Sequence, residues 1–244
     1  MTHAHDADAP VMGPARPPVR RRRLTAWPLW ATLAGVAGTI ATIVTDLRPP
    51  AETEAWRAGE DYTVTATDVW TLEPLLGRVG HLVGLVTIAA LLVFVAVWRT
   101  HVEARFPESA AARVVGLGLI ATAAAQLFGF GWRGALANYL GPEKGLYDTD
   151  GLFVYYMLTD FGAYLPWFGG LVSLLAIAWM AWREGLVSRG LGSVVGVIGV
   201  GFLVGIVLSG VPGLPGVAIP PAIAVVGLWL ALGRSAITTP EVPR

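Results

Sequence analysis

The chain of 244 residues contains no cysteine. That absence excludes disulfides, thiolate metal sites and a cysteine nucleophile, and it leaves cysteine usage silent about redox compartment. Charge is also scarce: 14% of the residues are Asp, Glu, Lys or Arg, against 55% hydrophobic, and the mean hydropathy is +0.61. So little polar surface does not coat a soluble domain of this size, and the sequence reads as an integral membrane protein. Of the four histidines, His3 and His5 lie in the N-terminal tail and His101 in an inner connection. None lies at the depth of His81, so a bis-histidine haem site has no support and "HAH" at 3–5 is too sparse for a metal.

Enzyme signatures are missing too. There is no H-E-x-x-H, G-x-S-x-G, G-x-x-x-x-G-K-[ST], or G-x-G-x-x-G at a strand-to-helix junction. Ser173 and Ser193 sit well inside apolar runs without a histidine at their depth. The expectation is a non-enzyme that carries no cofactor and no metal. A nucleic-acid partner is equally unsupported, because the Arg20 to Arg23 cluster abuts a membrane helix and reads as a contact to anionic lipid.

What is present is a series of long apolar runs, at residues 24–45, 79–98, 114–132, 161–182, 190–211 and 217–233. Each is long enough, at about 1.5 Å per residue, to cross a hydrocarbon core of about 30 Å. The fold class expected is therefore an all-α membrane protein, a six-helix transmembrane bundle over residues 24–235. Residues 1–23 read as a disordered basic tail and 236–244 as a short tail. The ten tryptophans and 30 glycines fit this class, since Trp anchors at membrane interfaces and Gly lets helices approach closely.

Orientation follows from the distribution of basic residues. With the N-terminus cytoplasmic, the inner side holds 12 of the 17 Lys and Arg residues and 6 of the 17 acids. Both termini are then cytoplasmic, in a plasma membrane, and the two long connections, 46–78 and 133–160, face outward. Within them, "TDVWTLEPLLG" at 67–77 and "GLFVYYMLTD" at 151–160 read as short amphipathic helices on the outer interface. A rival reading runs the fourth span back to Leu152 and draws Asp160 into the bilayer.

Six polar residues, Asp46, Arg78, His81, Gln126, Arg133 and Asp160, fall at or just below the outer boundary. Together they are candidates to line an outward-facing pocket, since intramembrane polar groups usually face a bundle interior or cavity. Each also has a plainer reading. Arg133 follows 19 apolar residues counted from Val114, so it reads as the end of a helix, anchored by Trp132 with its guanidinium reaching water; the alternative pairs it with Asp160 or another outer carboxylate. Gln126 reads as an interhelical hydrogen bond or a pocket wall, and His81 as an interfacial histidine.

The fifth run carries Gly190, Gly192, Gly196, Gly199, Gly201, Gly205 and Gly210. From it, Gly192, Gly196, Gly201 and Gly205 are expected to form a close-packing face, either within the chain or against a protein partner or a second copy. The stretch "REGLVSRGLGSVVGVIGVGFLVGIVLSGVPGLPGVAIPPAIAVVGLWLALGRS" resembles the closing part of small six-span bacterial membrane proteins of domain-of-unknown-function families. The use of arginine over lysine is actinobacterial in type. The resemblance is one of layout and brings no catalytic residue. The function expected is that of a non-catalytic accessory or interaction subunit embedded in membrane lipid; the alternative is a small-solute or lipid carrier using the outer pocket.

Overall fold

The computed structural model describes residues 25–239, and among these every regular element is helical. Helix α1, Leu29–Thr39, continues into a π-type turn at Ile40–Val44, and α2, Pro50–Ala58, follows. A 3₁₀ turn at Ala66–Thr71 leads to α3, Pro74–Trp98, which ends in a second π-type turn at Arg99–Glu103. Then come α4, Ala110–Tyr139; α5, Thr149–Gly162; a 3₁₀ turn at Leu165–Trp167; α6, Phe168–Trp182; α7, Arg189–Ser209; and α8, Pro215–Leu232.

Helix starts are set by local chemistry. Ser109, Asp148 and Ser188 accept backbone N–H bonds at the first turns of α4, α5 and α7, satisfying donors that a helix start leaves unpaired. Pro50, Pro74 and Pro215 open α2, α3 and α8, where the missing proline N–H costs nothing. Gly210 closes α7 at φ +70, a backbone region that glycine enters without strain.

Five stretches are long and apolar enough to cross a membrane: Pro74–Glu103, Ala110–Tyr139, Thr149–Trp182, Arg189–Ser209 and Pro215–Leu232. Leu29–Val44 is apolar but shorter. Successive passes alternate in direction, and α8 lies on α1, α1 on α3, α3 on α4, and α4 on α6. Helix α6 in turn meets both α7 and α8. The lower end is marked by the bond from Thr25 N–H to the Ala231 carbonyl, 3.3 Å. Buried Trp98, Trp167, Phe130, Leu91, Leu119, Leu171, Leu174 and Ile219 form the main core. The indole N–H groups of Trp98 and Trp167 donate to the Ala112 carbonyl and to Thr42 Oγ1, as buried indoles require.

The seam between α4 and the α5–α6 stretch is made of glycine. A Cβ on Gly118 would strike the Gly169 carbonyl oxygen, one on Gly169 the Gly118 carbonyl, and one on Gly129 the Gly162 carbonyl. Backbones this close leave room only for hydrogen.

The passes are unequal in length. Helix α4 has 30 residues and α8 has 18, or about 45 and 27 Å at the α-helical rise. The start of α8 is level with the α5–α6 junction, because Gly216 lies against Tyr164. What stands above that level is the last part of α4 together with α5, α2 and the first 3₁₀ turn. This upper layer has its own apolar core of Leu47, Val69, Leu72, Leu136, Leu152 and Tyr156. The segment expected to be one amphipathic helix at 67–77 is divided between the 3₁₀ turn and the start of α3, because Leu72 and Glu73 are extended before Pro74. The segment at 151–160 is helical, as α5.

The 3₁₀ turn is capped by Asp68, which accepts from the Thr65 N–H, from Thr65 Oγ1 and from the Tyr62 hydroxyl. These bonds, that from the Thr65 N–H first, hold the Asp68 carboxyl below its ordinary value against a smaller opposing effect of desolvation. A depressed carboxylate contributes above its unfolded pKa and stops contributing as pH falls through the folded one. An NMR titration of the Thr65 amide should therefore show a midpoint below about 3.9, and Asp68→Asn should abolish the transition.

At the opposite end, residues Ser235 to Thr239 do not run free as a tail. Arg105 donates to the carbonyls of Ala236, Ile237 and Thr239 at 3.2 to 3.4 Å, and Ile237 is buried. The arginine cluster at 20–23 and the "HAH" at 3–5 lie outside the described residues.

Candidate functional site

Arg133 is the most deeply buried charge among the described residues, with 1% of its surface exposed. Expected at the end of a helix with its guanidinium in water, it instead sits within α4, which continues to Tyr139. The correction has a physical cause: the last turns of α4 are covered by α3, α5 and the end of α1, so water is not within reach. Its Nη1 donates to the Ala41 carbonyl and, at 3.3 Å, to Thr45 Oγ1; Nη2 faces Asp46 Oδ1 at 3.6 Å. The guanidinium lies 6.0 Å from the Phe130 ring. Ala41 belongs to the π-type turn that ends α1, where carbonyls lack intrahelical donors and the helix dipole favours a cation. Arg133 is thus a C-terminal cap for α1, supplied by α4. Gly80 makes room for it: a Cβ there would stand 3.0 Å from both Arg133 Cδ and Nη1.

Asp46 links Arg133 to a second guanidinium. Arg48 Nε donates to Asp46 Oδ2 at 2.8 Å and its Nη1 to Glu52 Oε1 at 2.7 Å, while Nη2 lies 3.6 Å from Asp160 Oδ1. The Tyr156 hydroxyl donates to Glu52 Oε2 at 3.4 Å. Two guanidinium groups therefore face three carboxylates, a formal balance of −1. Partial burial pushes the Arg48 guanidinium down, but Asp46 first, then Glu52 and Asp160, more than offset this and hold it above its ordinary value. Because Arg48 is 44% exposed, each of its pairs is screened and worth at most about 1 kcal/mol.

Below this network the α5–α6 stretch is interrupted. Pro166 has no N–H, so the Gly162 carbonyl loses its helical donor, and Trp167 N–H turns to Tyr164 at 3.3 Å in 3₁₀ fashion. The Ala163 carbonyl is left to side chains from other helices, accepting from Gln126 Nε2 at 3.4 Å and Thr42 Oγ1 at 3.5 Å. Gln126 is fully buried. An irregular backbone between packed helices is tolerated only when such partners satisfy it. Gln126 Oε1, Thr122 Oγ1 and Arg133 Nε make no hydrogen bond among the described residues.

The six candidate residues therefore separate into groups. Asp46, Arg133 and Asp160 join one network through Arg48, and Gln126 lies one level below at the helix interruption. His81 Nδ1 donates to the Phe130 carbonyl at 2.8 Å, packing against Gly134. Arg78 rests against Gly141 near the end of α4. Helix runs back to Thr149, as the rival reading of the fourth pass has it, but with an interruption at residues 163–167, and Asp160 lies half-buried before that interruption. The sequence reading missed Arg48, Glu52, Tyr156, Thr42 and Trp167. Arg48 and Glu52 carried a signal, an (i, i+4) charge pair across the Pro49–Pro50 helix start, whereas Tyr156 carried none. A separate open groove of about 370 Å³ lies at the lower end, lined by Arg105, Phe106, Glu108, Ser109, Glu184 and Leu186.

The glycine face of α7 divides in two. Gly192 and Gly196 pack on Ala181 and Ala178 of α6, the latter at 3.3 Å from a Cβ, and Gly199 on Leu175. Gly201 has no atom within 4 Å, and Gly205 meets only Leu214, at 2.9 Å. Helical geometry explains the split, since five residues from 196 to 201 turn the side chain about 140° away. Gly192→Ile is expected to prevent accumulation of the protein, while Gly201→Ile leaves the level unchanged. Complex size measured on the Gly201 variant then decides whether that open face meets a second copy; an unchanged size removes that reading.

No protein-family model matches the sequence, and no curated protein or solved structure is significantly similar to it.

Proposed function

We propose that the chain is a six-crossing plasma-membrane protein with both termini cytoplasmic, acting without catalysis as an accessory or interaction subunit through its upper, outward-facing layer. The basic residues of the sequence support this orientation, 12 of the 17 falling in the segments read as cytoplasmic. The length of Leu29–Val44, 16 residues or about 24 Å, is compatible with a crossing when it packs along α8. The layout it shares with six-span bacterial families, which bring no catalytic residue, agrees with this reading.

The observation that carries it is the surface of the upper layer. Its core is filled and Asp46, Arg48, Glu52, Arg133 and Asp160 are joined in one network, yet it displays Trp56 at 79% exposure, with Leu75, Leu146, Trp70 and Tyr147 also exposed. Trp56, Leu75 and Leu146, exposed on a layer whose own core is filled, give it the composition of a protein interface. The absence of cysteine makes the test clean. Single cysteines at Trp56 and at Leu146, each carrying a photo-crosslinker in native membranes, should give an adduct of the same discrete mass, and a cysteine at Val197 on α7 should not. Lipid adducts alone at both upper positions would rule the reading out.

One observation favours the carrier reading: the interrupted α5–α6 stretch, whose neighbour Gln126 keeps an unpartnered oxygen. Interrupted helices form substrate sites in many carriers. On that reading Gln126→Leu abolishes transport at unchanged protein level; on the interaction reading it lowers the level.

A further inference from the structure

We propose that Arg48 and Tyr156 form a binding site for a carboxylate, occupied in the present structure by Glu52 of the same chain. The geometry of the site is displayed by its own occupant. Arg48 Nη1 holds Glu52 Oε1 at 2.7 Å and the Tyr156 hydroxyl holds Oε2 at 3.4 Å, so one carboxylate receives a donor on each oxygen. The Arg48 guanidinium does not depend on Glu52 for its orientation, because Nε is fixed separately by Asp46 at 2.8 Å. A planar guanidinium oriented from one edge presents its remaining N–H groups as a ready carboxylate receptor.

The element that delivers Glu52 is built to leave. Helix α2 buries none of its residues, although packing is what normally holds a short helix in place. Among the described residues its one side-chain hydrogen bond to another helix is that which Glu52 accepts from Tyr156, beside the local one from Arg48 in the preceding segment. It is entered through Pro49 and left through Gly59 at φ +73, two points where the backbone direction changes sharply. The remainder of the network stays in place without it: Asp46, Arg133 and Asp160 are carried by other elements.

Charge makes the replacement one for one. With Glu52 withdrawn, Arg48 and Arg133 balance Asp46 and Asp160, and the formal charge is zero instead of −1. A single external carboxylate restores the original state, and a second would raise the excess of acids over bases from one to two. The ligand is thus a monocarboxylate group that exchanges with Glu52, supplied either by an acidic side chain of a protein or by a small carboxylic acid. The site needs no partner protein in order to exist, so it can be tested on the isolated chain independently of the interaction reading.

The experiment is chemical rescue in nanodiscs. Glu52→Ala should lower the thermal midpoint, and acetate at tens of millimolar should recover at least half of the loss, while chloride at equal ionic strength recovers none. Glu52→Gln, whose clamp is filled, should show no acetate-specific gain, and wild type a smaller gain than Glu52→Ala, because acetate must first displace Glu52 there. Acetate acting no better than chloride on Glu52→Ala overturns the proposal. If Glu52→Ala fails to fold, a spin label on a cysteine at Glu54 in the otherwise wild-type chain reports the same event: acetate should increase its mobility severalfold, and a flat titration overturns the proposal. Repeating the titration with an N-acetylated, amidated tripeptide containing one glutamate separates the sources. Rescue at a concentration tenfold lower than acetate assigns the site to a protein side chain, and rescue at equal concentration to a small acid.

Discussion

Arg133→Leu is expected to cost about 3 kcal/mol or more of stability, the usual penalty for removing one member of a buried charged pair. The loss has two parts. Without the guanidinium, the Ala41 carbonyl at the end of α1 loses its charged donor, keeping only Thr45 Oγ1, and the network is left with three acids, Asp46 among them, and one base instead of two. Arg133→Lys should recover only part of the loss, because a single ammonium does not serve Ala41 on one side and Asp46 on the other as a forked guanidinium does. Denaturation of the reconstituted protein in a detergent titration measures both. A leucine variant within about 1 kcal/mol of wild type, the range of an exposed ion pair, would mean that the guanidinium contributes nothing to holding α1 against α4. A double-mutant cycle with Asp46→Asn should show coupling between the sites, since the residues share one network.

The second large effect is expected at Gly129. Any Cβ there falls on the Gly162 carbonyl oxygen, which cannot move away without separating α4 from the α5–α6 stretch. Gly129→Val should therefore abolish accumulation of folded protein in the membrane. Gly131, two positions along the same helix, has nothing within 4 Å of a Cβ. Gly131→Ala should be neutral or stabilising, by up to about 1 kcal/mol from helix propensity alone. The pair makes a sharp comparison: equal accumulation of both variants would mean that the α4 backbone is not in contact with Gly162 at this point.

The sequence carried the helices well and their surroundings poorly. Apolar runs bounded by charge located each long pass to within a few residues at its lower end, because there arginines and helix-capping serines mark the limit directly. At the upper ends of α3, α4 and the α5–α6 stretch the runs stopped too early. Arg133 looked like a terminus because a hydropathy pattern counts a charge as water-facing, and nothing local says that α3, α5 and the end of α1 will converge over it. Gln126 was recognisable as a side chain in need of a partner, but its partner, the Ala163 carbonyl, becomes available only because Pro166 interrupts a helix far along the chain. The α7 glycines were read as one face from their number; spacing alone, taken strictly, already places Gly192 and Gly201 on opposite sides.

The unequal passes have a consequence for the surrounding lipid. On one side, exposed apolar side chains run from Trp182 up through Phe168, Phe161 and Met157 to Val154, a path of up to about 42 Å at the helical rise. On the α7 side they run only from Val194 to Val211, about 26 Å. A flat bilayer of about 30 Å matches neither. The molecule must lean, or the leaflet around it must thicken on one flank and thin on the other, at a cost of fractions of a kcal/mol per ångström of mismatch. Either response gives the protein a front and a back within the plane of the membrane, so neighbours that share its thickness profile are drawn to one flank before any specific contact is made.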